Sequence, residues 1–402
     1  MSKLMQEAYI VAATRTPVAK RNGAFRFVRP DDMLAHVLRA VLAEVPQLDQ
    51  KEIGEVVVGC AIPEGEQGMN VARMGVLLAG MPDCVPAYTL NRFCSSGLNS
   101  VAHAAQMIQM GLTDVAIGAG TESMSVMSQM LGNKAAPNPK FFESNEAIAL
   151  AYGMGLTAER VAEKWQISRE EQDIFAAASH EKALRAIAEG HFKAEISPYQ
   201  VNNQLPDLTT GRIQSQSFLF EHDEGARAGT TVETLAKLRP IFAAGRKATV
   251  TAGNASQMSD GAAAVLVMSE AALKRYNLTP IARYSAFSVA GVPPEIMGIG
   301  PIEAIPRALK MAGIQQHQLD WIELNEAFAA QALAVIKQLD LDSNRINPLG
   351  GAIALGHPLG ATGAIRVATI MSAFQRNPKL KHAMVSMCIG TGMGAAGIFE
   401  RV

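Results

Sequence analysis

Charge of one sign is what this chain most plainly lacks: 36 Lys and Arg face 37 Asp and Glu, a formal net charge of -1. No basic stripe stands ready to neutralise phosphates and no single-sign run forms a tail, so nucleic-acid binding is set aside. Cysteine is scarce. Cys60, Cys84, Cys94 and Cys388 are scattered with no C-x-x-C pair, which excludes structural zinc and thioredoxin-type chemistry and fits a reducing, intracellular setting; no metal is expected. Aromatics make up only 5% of the residues, and the many Ala, Gly and Met suit helices packed closely on sheets better than a β-sandwich. No apolar run reaches the length a membrane demands. The opening MSKLMQEAY has no apolar h-region and is not Arg/Ser-rich, and Phe399-Glu400-Arg401-Val402 is no peroxisomal address, so a cytoplasmic location is expected.

What is present is alternation. At 402 residues the chain is long for one core and suggests two or three domains, or two fused similar halves. Ala8 to Ala13 reads as a buried strand, Asp31 to Val45 as a helix, Glu55 to Cys60 as a strand and Asn70 to Ala79 as a helix; Asp114 to Gly118 is a strand running into a loop, 119–123. This order predicts a mostly parallel sheet covered on both faces. From Ser128 to Asn145 the chain turns polar and proline-bearing, and two helices follow. The second opens with the capping box Ser168-Arg169-Glu170-Glu171. Residues 197–231 read as irregular. The expected division is 1–122 plus 246–272 as a first half, 123–245 as an inserted loop domain and 273–402 as a second half. That second half repeats the alternation, with strands at Ile281 to Val289, Trp321 to Leu324 and His382 to Cys388 and helices at Pro301 to Ala312 and Glu326 to Leu339. Two such α/β halves place their glycine loops where open sheets bind ligands.

The chemistry centres on Asn91-Arg92-Phe93-Cys94-Ser95-Ser96-Gly97, where a cysteine meets the start of a helix. Free N–H groups and the helix dipole there favour a thiolate, so a depressed Cys94 pKa is expected, although buried inert cysteines are common. Near the other end, Gly350 to Gly363 holds His357 among five glycines and no other ionisable group, which makes His357 a candidate base for Cys94. The segment lacks the lysine of a P-loop. Gly392-Met393-Gly394-Ala395-Ala396-Gly397 matches a dinucleotide fingerprint but leaves no room for the helix that must follow; Cys388 and the loop after it are the useful part. Asn325-Glu326-Ala327-Phe328 ends a strand and starts a helix, so Asn325 is also readable as an ordinary N-cap. Thr251 to Ser256 is also readable as a plain polar turn.

Together Asn91 to Gly97, Asn325 to Phe328, Gly350 to Gly363 and Cys388 to Gly392, in this chain order, resemble the thiolase family, and the resemblance runs from Thr14-Arg15-Thr16-Pro17 to the C-terminus. It implies two αβα-type halves, a five-layer αβαβα fold, with a loop domain that binds coenzyme A. It further implies thiolytic cleavage of 3-ketoacyl-CoA, or in reverse a Claisen condensation. Cys94 becomes the nucleophile, His357 takes its proton, and Cys388 is the second acid/base, because a departing enolate must be protonated as it forms. One oxyanion falls to His357 with a water on Asn325, the other to the N–H groups of Cys94 and Gly390. Ser256 would touch the pantetheine arm, Arg227 the adenine end, and Met154 and Phe328 the rest of the acyl-CoA. Coenzyme A is then a substrate, with no permanently bound cofactor. The likeness also suggests a homodimer or homotetramer and admits a hydratase/dehydrogenase partner in a β-oxidation complex.

The Tyr152-Gly153-Met154-Gly155 stretch departs from the short-chain, biosynthetic branch, which carries a histidine where this chain has Gly153. With Asp223 to Arg227 and Thr230 to Glu233, this favours the degradative, broad-chain branch. The close alternative is an acetyl-CoA C-acetyltransferase running condensation. A ketoacyl synthase would pair its cysteine with histidine or asparagine rather than a second cysteine, a cysteine hydrolase would release free acid, and a non-catalytic CoA-binding subunit would need neither reactive cysteine.

Overall fold

The computed structural model describes residues 5–129, 138–143, 153–245 and 247–402. The first half runs β1 (Ala8–Arg15), β2 (Ala19–Lys20), α1 (Pro30–Ala43), β3 (Glu55–Gly59), α2 (Val71–Leu78), β4 (Ala87–Leu90), α3 (Ser96–Gln109), β5 (Val115–Ser123) and α4 (Met124–Gln129). An insertion follows with α5 (Met154–Lys164), α6 (Arg169–Ala188), the hairpin β6 (Tyr199–Asp207) and β7 (Arg212–Phe220), and α7 (Val232–Ala236). The chain then returns through β8 (Ser259–Ser269), α8 (Glu270–Tyr276), β9 (Ala282–Gly291), α9 (Gly300–Ala312), β10 (Trp321–Leu324), α10 (Ala329–Leu339), α11 (Ala352–Leu355), α12 (Leu359–Arg376), β11 (His382–Ile389) and β12 (Met393–Arg401).

Two halves of one topology meet edge to edge. The sheet order is β10-β11-β12-β9-β1-β8-β5-β3-β4, and β1 joins β9 through Tyr9–Arg283 and Ile10–Ala282. In the second half a single parallel bridge, Ile322 to Ile346, stands where β4 pairs with β3 in the first. The expected mostly parallel sheet is thus corrected: β5–β8, β8–β1, β11–β12 and β12–β9 are antiparallel, and among the described strands only β10–β11, β3–β4 and β3–β5 pair in parallel. Each half closes with a strand that turns back, so no crossover helix forces it parallel.

Strand alternation separates the layers. Along β8, Ala263, Val265 and Val267 join α3, α12 and β11 in the central core, while Ala262, Ala264, Leu266 and Met268 face α1 and α2. Met384 and Ile398 face α9 and α10 in a third core. The order is therefore helix, sheet, helix, sheet, helix, with α3 and α12 in the middle; α12 is buried on every side from Gly360 to Phe374, as a helix between two sheets must be. Each fully buried Val or Leu in these layers contributes roughly 1.5–3 kcal/mol.

Glycine sets how closely the central helices approach. A Cβ on Gly97 would lie 2.7 Å from the Gly360 carbonyl oxygen, and one on Gly363 would lie 2.2 Å from the Leu98 nitrogen. That contact brings the residues before α3 and those before α12 to one place, which is where Cys94 and His357 sit.

Candidate active site

Cys94 occupies a tight turn, Phe93–Ser95, immediately before α3. Asn91 Oδ1 accepts the Phe93 N–H at 2.8 Å, while Ser96 Oγ accepts from Arg92 N at 2.8 Å and donates to the Phe93 carbonyl at 2.7 Å. These bonds hold Phe93 at φ +43°, a left-handed conformation costly for a side-chain-bearing residue, and so aim the cysteine. The residue as a whole stays half-buried, but its sulfur faces the buried Cys388. Here the expected low pKa is corrected. Burial pushes the Cys94 thiol up to about 11, and the N–H groups of Gly390 and of Cys94 itself offset this only in part. The helix terminus favours the thiolate, yet desolvation outweighs it.

Cys388 lies on β11, fully buried in a cluster with Ala158, Ala255, Met297, Ala327 and Phe328. Burial first, and then the facing Cys94 sulfur, hold its thiol well above the ordinary range. Beyond it Gly390, Thr391 (φ +66°) and Gly392 (φ +90°) turn β11 into β12. A sequence reading that ended the last strand at Cys388 missed β12; Gly394 belongs to that strand, where a Cβ would lie 2.0 Å from the Gly300 carbon.

His357 follows α11 and Gly356, its N–H donating to the Gln257 carbonyl at 3.1 Å. Its ring Nδ1 lies 2.7 Å from Thr362 Oγ1 and its Nε2 lies 3.4 Å from Asn325 Nδ2. Burial, then the nearby Arg366 guanidinium, lower its pKa to about 3, so the imidazole is neutral at physiological pH. Asn325 hangs beyond β10, its N–H donating to Ser386 O at 2.8 Å. It is not an N-cap: α10 begins at Ala329 with Phe328 in the cap position. The Asn325 Oδ1 atom is buried without a partner among the described residues.

Ser256 N donates to Ala327 O at 2.9 Å, and Met258 bridges His357, so residues 255–258 strap Asn325–Phe328 to the histidine. Phe328 packs edge-on against Phe242, ring centres 6.0 Å apart. Met154 opens α5, and a Cβ on Gly390 would meet its sulfur at 3.6 Å and Phe93 at 3.8 Å. Cys94, Cys388, His357, Asn325, Gly390, Met154, Ser256 and Phe328 therefore converge. Arg227 stands apart, lining a cavity of about 540 Å³ with Ile174, His180, Glu181 and Thr230 to Glu233. Its N–H donates to His180 Nδ1 at 3.1 Å. Tyr152, and most of the polar stretch from Ser128 to Asn145, fall outside the described residues.

Four contributors escaped sequence reasoning. Glu122, read as loop but lying within β5, accepts from Ala61 N at 2.7 Å and Gly360 N at 2.8 Å, tying β5 to the start of α12. Glu326 accepts from Ser179 Oγ at 2.7 Å, Asn347 Nδ2 at 2.8 Å and Ile353 N at 3.1 Å. Thr362 and Arg366 sit four residues apart on α12 beneath His357. A buried partner is invisible to local pattern, and only the Gly-rich setting of His357 hinted at one. Among the described residues no cluster of His, Cys, Asp and Glu suits a metal, and no helix is long and apolar enough to cross a membrane.

Comparison with known proteins agrees across the whole length. Residues 8–271 match the model "Thiolase, N-terminal domain" and 278–401 match "Thiolase, C-terminal domain". The chain is 48% identical over 397 residues to the 3-ketoacyl-CoA thiolase of Bacillus subtilis, covering 98% of this chain and 100% of that one. It is 44% identical to the peroxisomal 3-ketoacyl-CoA thiolase 5 of Arabidopsis thaliana, covering 100% and 87%. Among solved structures, the dimeric peroxisomal thiolase of Saccharomyces cerevisiae superposes with a TM-score of 0.89 at 42% identity, covering 99% and 98%. The Bacillus anthracis acetyl-CoA acetyltransferase gives 0.88 at 36% identity over the full length of both. Two cysteines, a neutral histidine and an asparagine meet where two like halves join, both halves match, and the chain belongs to the thiolase family.

Proposed function

We propose that this acyltransferase cleaves 3-ketoacyl-CoA with coenzyme A, giving acetyl-CoA and an acyl-CoA two carbons shorter, as in fatty-acid β-oxidation. The observation that carries the reading is the facing of Cys94 and Cys388 beside a neutral His357. His357 takes the Cys94 proton as substrate arrives, and the thiolate attacks the 3-keto carbon. The resulting oxyanion is met by N–H donors. Collapse breaks the C2–C3 bond, and Cys388 gives its proton to C2 of the departing acetyl-CoA enolate. Acyl-Cys94 then remains. The Cys388 thiolate takes the proton of incoming coenzyme A, whose sulfur attacks the thioester and returns Cys94 to its thiol. Splitting the cleavage in two through a covalent thioester is what makes it accessible at neutral pH.

Two sets of donors are proposed for the two oxyanions: the Cys94 and Gly390 N–H groups, which already face the Cys94 sulfur, and His357 with a water on Asn325. The loop domain, 123–245, is proposed to bind coenzyme A, with Arg227 and the cavity beside α6 at the adenine end and Ser256, Met154 and Phe328 along the pantetheine and acyl arm. The chain's identity to 3-ketoacyl-CoA thiolases and the lack of a histidine at Gly153 support the broad-chain reading. The acetyl-CoA acetyltransferase neighbour keeps the condensing alternative in play for the same test. A homodimer is proposed from the dimeric yeast neighbour, and a cytoplasmic location from the Bacillus relative together with four unpaired cysteines.

The test is coenzyme-A-dependent cleavage of acetoacetyl-CoA and 3-ketohexadecanoyl-CoA by wild type and Cys94→Ala. Loss in the mutant with the long substrate preferred is the expected result. Preference for acetoacetyl-CoA moves the assignment to the short-chain branch, and folded wild type that cleaves neither overturns it.

A further inference from the structure

We infer that Thr362 is a positioning residue for His357, accepting the Nδ1 proton so that the Nε2 lone pair faces the site. This rests on the proposed role of His357 as the base for Cys94. A neutral imidazole carries one proton, and it can act as a base at Nε2 only when that proton sits on Nδ1. Thr362 Oγ1, 2.7 Å away and fully buried, is the one side-chain partner of Nδ1 among the described residues. On the other nitrogen, the Asn325 amide N–H approaches Nε2 at 3.4 Å, a donor that suits a lone pair and not a second N–H.

The fold places Thr362 for this. It stands in the first turn of α12, five residues after the histidine, and α12 cannot shift. Gly363 is pressed against Leu98, and the Gly360 N–H is held by Glu122 at 2.8 Å. One turn on, the buried Arg366 lies 3.6 Å from Glu323. The charges beneath the imidazole are therefore a cation and that cation's own carboxylate partner, and among the described residues no carboxylate contacts Nδ1. A neutral hydroxyl holds the ring without trapping the imidazolium, and the Asn325 N–H at Nε2 selects the tautomer in which that hydroxyl accepts. The proton taken from Cys94 is not held by a counter-charge and can be passed back when coenzyme A releases the acyl group.

The reading also separates Thr362 from packing. Valine has the same shape and no acceptor, and serine keeps the acceptor and loses a methyl. Thr362→Val is expected to lower kcat by roughly tenfold to a hundredfold, with KM changed far less, and Thr362→Ser to recover most of the loss. Alkylation of Cys94 by iodoacetamide, read without turnover, should slow in Thr362→Val and shift to higher pH. In wild-type protein with ¹⁵N-labelled histidine, assigned with His357→Asn, the His357 Nδ1 should carry the proton and Nε2 should not.

A proton on Nε2 in the wild type overturns the inference whatever the variants do. Thr362→Val alkylating at the wild-type rate and pH midpoint also overturns it, as does Thr362→Ser being as impaired as Thr362→Val. If His357→Asn itself leaves Cys94 alkylation unchanged, the histidine is not the base, and the proposed mechanism fails along with the role of Thr362.

Discussion

The backbone amide of Gly390 lies close enough to the sulfur of Cys94 to favour its thiolate, joining the β11–β12 turn of one half to the foot of α3 in the other. In the proposed mechanism the amide that favours the thiolate at rest would also donate to the oxygen on the carbon that sulfur attacks. Removing the donor and adding bulk are separable here. A Cβ on Gly390 meets only ordinary contacts at 3.6 and 3.8 Å, so Gly390→Ala should fold normally and lose little turnover. Gly390→Pro removes the N–H and should lower kcat by about a hundredfold or more. Steady-state cleavage of 3-ketohexadecanoyl-CoA by both variants checks it; equal activities would deny the amide a role.

Cys94 and His357 set opposite limits on pH. Cys94 rises from its ordinary 9.0 to about 11 and His357 falls from 6.5 to about 3, so between these values thiol and neutral imidazole coexist rather than a thiolate–imidazolium pair. Iodoacetamide should therefore react with Cys94 ever faster up to and beyond pH 9, with no thiolate plateau in the acid range. For stability the signs are these. A histidine depressed in the fold leaves the unfolded chain binding more protons between 3 and 6.5, so its contribution is present above 6.5 and is lost as pH falls toward 3. A cysteine raised in the fold contributes fully below 9 and loses that contribution as pH rises toward 11. Buried carboxyls such as Glu323, raised to about 7, slope the other way from the histidine, so the comparison must be differential. Urea unfolding of His357→Gln against wild type should show a stability gap that changes between about pH 4 and 6.5 and is flat above it.

Helices and strands with strong periodicity were legible in the sequence almost to the residue. Ser168 caps α6 with its box intact, and Trp321–Leu324 is a strand as read. The misses share a physical cause. β6 and β7 were taken as irregular because Asn, Gln and Ser dominate them, yet Val201 opposite Phe218 and Tyr199 opposite Phe220 suffice to seat the hairpin's base on the first-half core. β12 is built of Gly and Ala because α9 presses on it, and composition alone reads that as loop. The motif residues of the site were all visible. What local pattern could not give is burial, which reverses the pKa expected of Cys94, and the partners Glu122, Glu326 and Thr362, each supplied by a segment distant in sequence or by an unremarkable helix position.

Glu326 shows how such a partner works. Its carboxylate, held among Ser179, Asn347 and the Ile353 N–H, fixes the loop that carries Asn325. Glu326→Gln replaces one acceptor oxygen with an NH₂ that faces donors, so both pairing and position suffer. The expected outcome is a loss of about 1–3 kcal/mol in stability for each donor left unpaired. Turnover should fall as well, because Asn325 is displaced from His357. Denaturant unfolding paired with kcat on the folded enzyme measures both, and full activity in a destabilised variant would confine Glu326 to the fold.

Arg15 poses the same question with charge. Its guanidinium is fully buried between Glu195 at 2.7 Å and Asp223 at 2.7 and 2.9 Å, with Thr369 of α12 donating to Glu195 at 2.9 Å and Phe192 stacked at 5.2 Å. Strand β1, the insertion and the central helix are thereby joined at one point. Arg15→Met fills the space but strands two buried carboxylates, and should cost about 3–5 kcal/mol. Asp223→Asn added to Arg15→Met removes one of the stranded charges, so the double variant should lose less than the two single losses combined. The pH dependence carries the diagnosis. Burial already holds the Glu195 carboxyl above the ordinary range against the pull of Arg15, so with the cation gone the deficit of Arg15→Met should shrink as pH falls and Glu195 neutralises. A deficit independent of pH would mean that the arginine acts through packing against Phe192 and not through its charge.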